Sequence, residues 1–270
     1  MGGGAYGKVY KGIRREIDKD INEYVAAKEI VFSESEEFRE FDIAKDLNHE
    51  NAVKNYDLIE LGSSLTEKKY LIILELCDCD LKSYLTNELS ENDIIELLKQ
   101  IFSAVKYLHL QNIIHRDIKP ENMLMKKDVL KITDFGTSKR LMEENLYAKT
   151  FRGTPLYTSP EILDALGGTF SADIFSMGVT FFYLFLKKTP WEILDPNIKK
   201  ENHPIFLKKK IKEFNDKIND KSFDPFYDPN MKVPSFIKKL ILKCLKLDAT
   251  ARPSLKEIEE ILFEVIFLSD

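Results

Sequence analysis

The sequence predicts an α+β chain of two lobes: a small β-rich lobe with one helix, then a larger and mostly helical lobe. Three observations predict it. Short runs of β-formers fill the first third, as at residues 8–10, 24–31 and 71–74. Beyond about residue 80, apolar residues recur at spacings of three and four. The 270 residues are 44% hydrophobic and 31% charged, enough for one large core or two smaller ones and unlike a disordered or collagen-like chain.

Taken in order, residues 8–10 and 24–31 are strands. Ser33 with Glu36 has the pattern of a capping box and should open a helix with Phe38, Phe41, Ala44 and Leu47 on one face. Residues 71–74 read as a buried strand. Ser90 caps a long helix with Asp93 as its acidic third residue, and its stripe is Ile94, Leu97, Leu98, Ile101, Val105 and Leu108. Short strands follow near 123–125 and 130–133. Residues 137–160 are rich in polar and turn formers and read as a surface loop. Helices are expected at 172–186, 205–213, 234–246 and 254–267. The Lys-, Asn-, Asp- and Pro-rich segment 195–232 should be irregular in part. No internal repeat is present.

The charge and the cysteines exclude further classes. Forty Lys and Arg against 45 Asp and Glu leave −5, which speaks against a nucleic-acid partner held by bulk positive charge. Three cysteines, Cys77, Cys79 and Cys244, cannot build a disulfide framework, and no further Cys/His pair near the first two suggests a metal site. The opening Met1-Gly2-Gly3-Gly4 has no apolar signal region, and Tyr6 stands where N-myristoylation wants Ser or Thr. The apolar run 179–186 is too short to cross a bilayer. The expectation is a cytoplasmic protein with no membrane insertion.

The chemistry-bearing residues form an ordered set. Gly2, Gly4 and Gly7 with Val9 fit G-x-G-x-x-G-x-V ahead of a strand, where glycines let main-chain N–H groups approach phosphates. Lys28 ends a strand and can hold phosphates as a point charge, with Glu40 on the next helix as the carboxylate that would keep it charged. His115-Arg116-Asp117-Ile118-Lys119-Pro120-Glu121-Asn122 follows the long helix. Asp117 can accept a hydroxyl proton, Lys119 can neutralise a phosphoryl group, and Asn122 can bind a metal. Asp134, opening Asp134-Phe135-Gly136, is a hard oxygen ligand suited to Mg²⁺. The glycines alone would read as a flexible N-terminus, Lys28 as a solvated side chain, and any one charged residue of the two later segments as a loop salt bridge; chance does not produce the ordered set.

Across essentially its whole length the chain resembles the eukaryotic protein kinases. Gly153-Thr154-Pro155-Leu156-Tyr157-Thr158-Ser159-Pro160-Glu161, Asp173-Ile174-Phe175-Ser176-Met177-Gly178 and the Cys244-to-Ser254 segment ending Ala251-Arg252-Pro253-Ser254 are similar to further motifs of that family. The resemblance implies a bilobal protein-kinase-like fold in one domain, 1–270, with an N-lobe to residue 75, a hinge at 76–80 and a C-lobe beyond. It implies ATP and Mg²⁺ as cofactors. Leu74 would be the gatekeeper, and Glu75 with Leu76 and Cys77 would read adenine through main-chain groups. Asp80 would bond the ribose, and Val9, Ala26 and Leu124 would sandwich the base. Glu161 and Arg252 would form a buried supporting ion pair. Lys119 two residues after Asp117, with Thr154 before Pro155, is similar to the Ser/Thr-specific branch. The implied partner is a protein substrate with a Ser or Thr acceptor. Arg116 beside Asp117 would pair with a phosphate on the activation loop at Thr150, placed there by an upstream kinase or by autophosphorylation, with Arg152 helping to hold it. Segments around residues 38–51, 75–81 and 178–181 are similar to the IκB-kinase-related type, whereas the short span from Lys28 to Glu40 departs from it.

Departures from the family pattern concern an apolar stack whose members would be Ala44, Asn55, Phe135 and His115. A small Ala44 and a polar Asn55 would leave the first helix loosely docked. Ser159 for Ala and Phe175 for Trp are milder. A kinase-like binding module without turnover is the alternative class. Such modules commonly lose the strand lysine, the catalytic aspartate or the metal aspartate, and this chain keeps Lys28, Asp117 and Asp134.

Overall fold

A computed structural model describes residues 3–4, 7–16, 21–33, 39–63, 67–140, 155–164, 167–198, 203–220, 223–228 and 232–263. The elements run β1 (Gly3–Gly4), β2 (Gly7–Glu16), β3 (Ile21–Ser33), α1 (Arg39–Ala44), β4 (Asn55–Ser63), β5 (Glu67–Glu75), β6 (Cys79–Asp80), α2 (Leu81–Tyr84), α3 (Glu91–Leu110), β7 (Ile113–Ile114), β8 (Met123–Lys126), β9 (Val129–Ile132), β10 (Lys139–Arg140), α4 (Pro160–Leu163), α5 (Phe170–Leu186), α6 (Pro190–Leu194), α7 (Pro204–Asn219), α8 (Ser235–Cys244) and α9 (Leu255–Phe263). The expected α+β division is present, with a sheet-rich N-terminal part and a helical C-terminal part.

The first sheet is antiparallel, in the order β1-β2-β3-β5-β4. Val9 pairs with Lys28, Lys28 with Ile72, and Ala26 with Leu74. Side chains alternate along a strand, so these residues share one face. That face looks toward the helical part, because Lys28 Nζ lies 3.4 Å from Asp134 Oδ1. Gly4 pairs with Gly7 as the last rung of the β1–β2 hairpin.

Ser33, expected to cap the following helix, has extended backbone, and residues 34–38, where that helix would begin, lie outside the described residues. Ser33 is the last residue of β3 and pairs with Glu67 of β5, while α1 is described only from Arg39. Glu36 and Phe38 lie outside the described residues, and Leu47, buried, comes after the helix rather than on it. Segment 195–232 holds the helix expected at 205–213, extended at both ends. Within it, α7 runs to Asn219 and buries Leu207, Ile211 and Phe214 at helical spacing, a stripe set among lysines. β4 and α2 carry no strong sequence pattern and were not anticipated.

The Ser90 cap forms as expected. Its hydroxyl accepts from Asp93 N while the Asp93 carboxylate accepts from Ser90 N, and the predicted stripe of α3 is buried. α5 is apolar on nearly every side and is accordingly buried at the centre of the helical part. Trp191 stacks on Phe175 with ring centroids 5.9 Å apart and donates from Nε1 to the Leu156 carbonyl at 2.7 Å, which fills the space beside a Phe where the family has Trp.

The contact between α5 and α8 depends on Gly178. A Cβ there would stand 2.5 Å from Cys244 Cβ. Overpacking of this kind typically costs about 1–3 kcal/mol. Gly178→Ala is therefore expected to lower Tm by about 2–4 °C per kcal/mol lost. Cys244→Gly, at the last residue of α8, should recover part of the loss in the double variant. Differential scanning calorimetry of the three variants checks both points.

Candidate active site

The candidate catalytic segment leaves β7 and runs from His115 to a 3₁₀ turn at Pro120–Asn122. One buried carboxylate holds its start. Asp173, at the beginning of α5, accepts from the His115 and Arg116 main-chain N–H groups at 2.9 and 2.8 Å and meets His109 Nε2 at 2.9 Å. Burial works to raise this carboxyl, but the hydrogen bonds from His109 and His115 outweigh it and hold the group below its ordinary range. Sequence reading quoted Asp173 only as part of a motif. A lone acid in an otherwise apolar run was the signal that could have marked it.

The direction of that shift sets a pH dependence. A carboxyl whose folded pKa is depressed stabilises the fold above its unfolded value, about 3.9, and the stabilisation is lost as pH falls through the folded value. The wild type should therefore lose Tm progressively below about pH 4. Asp173→Asn should start lower at pH 7 and show a shallower acid limb in the same thermal titration.

His115 is fully buried and packs on Phe135, with centroids 5.3 Å apart. Its Nε2 is 3.1 Å from the Thr133 carbonyl and its Nδ1 accepts from Asp117 N at 3.3 Å, which assigns the Nε2–H tautomer. Two donors converge on one oxygen of Asp117: Lys119 Nζ and Asn122 Nδ2, each 2.7 Å from Oδ2. Asn122 Nδ2 also donates to the Asp117 carbonyl at 2.8 Å. Lys119 and Asn122 are buried, so the three groups form a fixed unit.

Facing them, Lys28 reaches from β3 to Asp134 at 3.4 Å. Asp134 has φ 66° and ψ 73°, a left-handed conformation that a non-glycine residue holds only when its surroundings impose it. Glu40 belongs to α1, but its side chain lies outside the described residues, as do Gly2, Thr150, Arg152 and Thr154.

Beyond β5 the chain passes Glu75, Leu76 and Cys77. The Glu75 carboxylate turns away from the sheet face that carries Lys28. It accepts from Lys126 at 2.8 Å and Lys54 N at 3.3 Å and pairs with Lys131 at 3.1 Å. Burial opposes its ionisation, and the two lysines more than offset that, so its pKa is lowered. Among the described residues, the main-chain groups of Leu76 and Cys77 carry no hydrogen bond to another backbone group. Burial, then the charge of Glu75, pushes the Cys77 thiol up to about 12, so it stays protonated at neutral pH. Asp80 caps α2, accepting from Ser83 N at 2.9 Å and Ser83 Oγ at 2.8 Å. Leu124 alternates with buried Met123 and Met125 on β8 and so points away from the core.

The weak apolar stack takes a different form from the sequence expectation. Ala44 is fully buried, but Asn55 is only half-buried, and its amide donates to the Val53 carbonyl at 3.0 Å. No unpaired amide is therefore buried beside α1. Arg116, at φ 66°, donates from Nε to the Thr137 carbonyl at 2.6 Å. Arg252 forms a two-pronged pair with Glu161 at 2.6 and 2.9 Å and stacks over Phe175 with its guanidinium carbon 4.9 Å from the ring centroid.

Comparison with known proteins adds to this geometry. The protein kinase domain profile matches residues 1–263. The chain is similar to a probable cell division protein kinase of Encephalitozoon cuniculi, 33% identical over 97% of this chain and 94% of that one. It is also similar to the human serine/threonine-protein kinase ULK1, 33% identical over 73% of this chain and 20% of that protein. A third relative, serine/threonine-protein kinase pakG of Dictyostelium discoideum, is 36% identical over 67% of this chain and 15% of its own length. Motif order, paired Asp117 and Lys119, and a domain match over nearly every residue lead to one conclusion: the chain belongs to the protein kinase family and is a protein serine/threonine kinase.

Proposed function

We propose that the chain transfers the γ-phosphoryl group of Mg-ATP to Ser and Thr hydroxyls of protein substrates, and that phosphorylation of Thr150 switches it on. The observation that carries the catalytic reading is the convergence of Lys119 and Asn122 on Asp117 at 2.7 Å, opposite the Lys28–Asp134 contact.

The donor set fits a magnesium ion shared with a nucleotide. The nitrogen of Asn122 is committed to Asp117, which leaves its oxygen for a cation, and Asp134 adds a carboxylate. No group of three or more His, Cys, Asp or Glu side chains among the described residues could hold a metal. A cation held by Asn122 and Asp134 thus takes the rest of its shell from phosphate and water, the usual habit of Mg²⁺. Bound there with ATP, it would offset charge on the phosphoryl oxygens. Asp117 orients the acceptor hydroxyl and takes its proton. Lys119 and Lys28 offset phosphate charge, and the main-chain N–H groups of the β1–β2 hairpin cover the nucleotide. The open backbone groups of Leu76 and Cys77 suit the adenine edge. Rate enhancement then comes mainly from positioning and fixed charge. For the switch, Arg116 adjoins the catalytic loop, where its guanidinium can meet a phosphate on the following segment.

Incubation with γ-labelled ATP and a mixture of Ser and Thr peptides should label both kinase and peptides, with Asp134→Asn at background. No label above that control, even after treatment with an activating kinase, would overturn the reading. Peptide mapping should place the label of the active form on Thr150. Label confined to Thr137, Ser138 or Tyr147 would remove the switch.

A further inference from the structure

Glu121 is the exposed residue of the 3₁₀ turn Pro120–Asn122, four positions after Asp117, so it borders a peptide whose hydroxyl reaches Asp117. An extended peptide advances about 3.3 Å per residue, which brings a side chain a few positions from the acceptor over this turn. A lone carboxylate there would favour a basic substrate residue. The carboxylate is already taken: Lys82 of α2 donates from Nζ to Glu121 Oε1, and the same ammonium stands 5.8 Å from the centroid of the Tyr183 ring. Tyr183 in turn meets Tyr157 edge-on, 6.4 Å between centroids, in the segment leading to α4. An internal cation thus fills the place between carboxylate and aromatic ring that a substrate Lys or Arg would fill.

We propose that Lys82 is a specificity-determining residue, one that neutralises Glu121 from within and removes selection for a basic residue at this subsite. The inference rests on the protein-substrate reading above and names a substrate class for it: acceptor peptides with no requirement for a basic residue over Glu121. The pair is exposed on both sides, with side chains 42% and 38% accessible, so its worth is modest and salt-sensitive. Opening the subsite should therefore change selectivity by about two- to five-fold, not by orders of magnitude.

The test is a set of fluorescent Ser peptides with a single Arg walked through the positions flanking the acceptor, titrated by anisotropy against wild type, Glu121→Gln, Lys82→Met and Lys82→Met/Glu121→Gln at low salt. Wild type should bind every Arg peptide within about two-fold of the all-Ala peptide. Lys82→Met should bind one of them about two- to five-fold tighter, and the double variant should lose that gain. Wild type that already prefers Arg at a position abolished by Glu121→Gln would overturn the proposal. So would a Lys82→Met variant, folded by thermal unfolding, that shows no gain. Because binding is read without turnover, this result is separate from the phosphate-labelling test, whose failure would strike the catalytic reading alone.

Discussion

Asp117→Asn is expected to lower kcat for peptide phosphorylation by about 10²–10⁴-fold, the usual worth of a positioned general base, with the KM for ATP little changed. The wild-type carboxylate spends one oxygen on two donors, Lys119 Nζ and Asn122 Nδ2. That leaves Oδ1 to take the hydroxyl proton. An Asn of the same shape must turn its oxygen toward those donors, since its own N–H₂ cannot face an ammonium and an amide. The N–H₂ group then occupies the place of the accepting oxygen, and the hydroxyl loses both its orienter and its base. The surrounding fold should persist, because the Asp117 main chain is held through His115 and Asn122 and the segment through Asp173. Steady-state kinetics with labelled ATP checks the loss, and thermal unfolding checks that the variant is folded. Activity within tenfold of wild type would remove Asp117 from the reaction.

The residues of the candidate site were legible in the sequence as a group because most of them lie in two short loops, where order and spacing along the chain nearly fix order in space. Asp117, Lys119 and Asn122 fall within six consecutive residues. The contact of Lys28 with Asp134 joins positions 106 apart, and only the sheet register turns Lys28 toward the helical part. Residues whose role is to support others were not legible. Asp173 acts on a segment 57 and 58 positions away, and its neighbours in the chain are apolar. Gly178 matters through Cys244, a contact set by how α5 and α8 cross rather than by either helix alone. Element ends and polar contacts were less legible than element cores. The helix expected at 205–213 is α7, which continues to Asn219 through a mostly polar stretch. Asn55 looked like a buried polar fault until the β4 register placed its amide on the Val53 carbonyl.

Removing the guanidinium of Arg252 should cost the fold more than any exposed ion pair. Its side chain is 1% accessible, against 15% for Glu161. Besides the two bonds to Glu161, it donates to the carbonyls of Lys246 at 2.9 Å, Ser171 at 2.8 Å and Leu247 at 3.3 Å. It thereby ties α4 to the start of α5 and to the loop after α8. Arg252→Met keeps the apolar stem over Phe175 but strands a carboxylate and three carbonyls together, and breaking a buried pair in this way costs about 3–5 kcal/mol. Glu161→Gln leaves every carbonyl contact in place and keeps one oxygen as an acceptor. Its loss is the counter-charge and one of the two guanidinium hydrogen bonds, about 1–3 kcal/mol. The expected order of Tm is therefore wild type, then Glu161→Gln, then Arg252→Met, at about 2–4 °C per kcal/mol. Arg252→Lys should fall near Arg252→Met, because a single ammonium cannot reach both carboxylate oxygens and the three carbonyls at once. Acid adds a check on the charge. Glu161 is held below its ordinary range because the Arg252 hydrogen bonds outweigh the effect of burial, so its contribution is complete above about pH 4.3, the unfolded value, and disappears as pH falls below it. The gap between wild type and Glu161→Gln should then close at low pH, while the gap to Arg252→Met narrows but persists, since the carbonyl contacts do not titrate. If Glu161→Gln were as damaging as Arg252→Met at neutral pH, the counter-charge and not the carbonyl network would be what holds this corner of the helical lobe together.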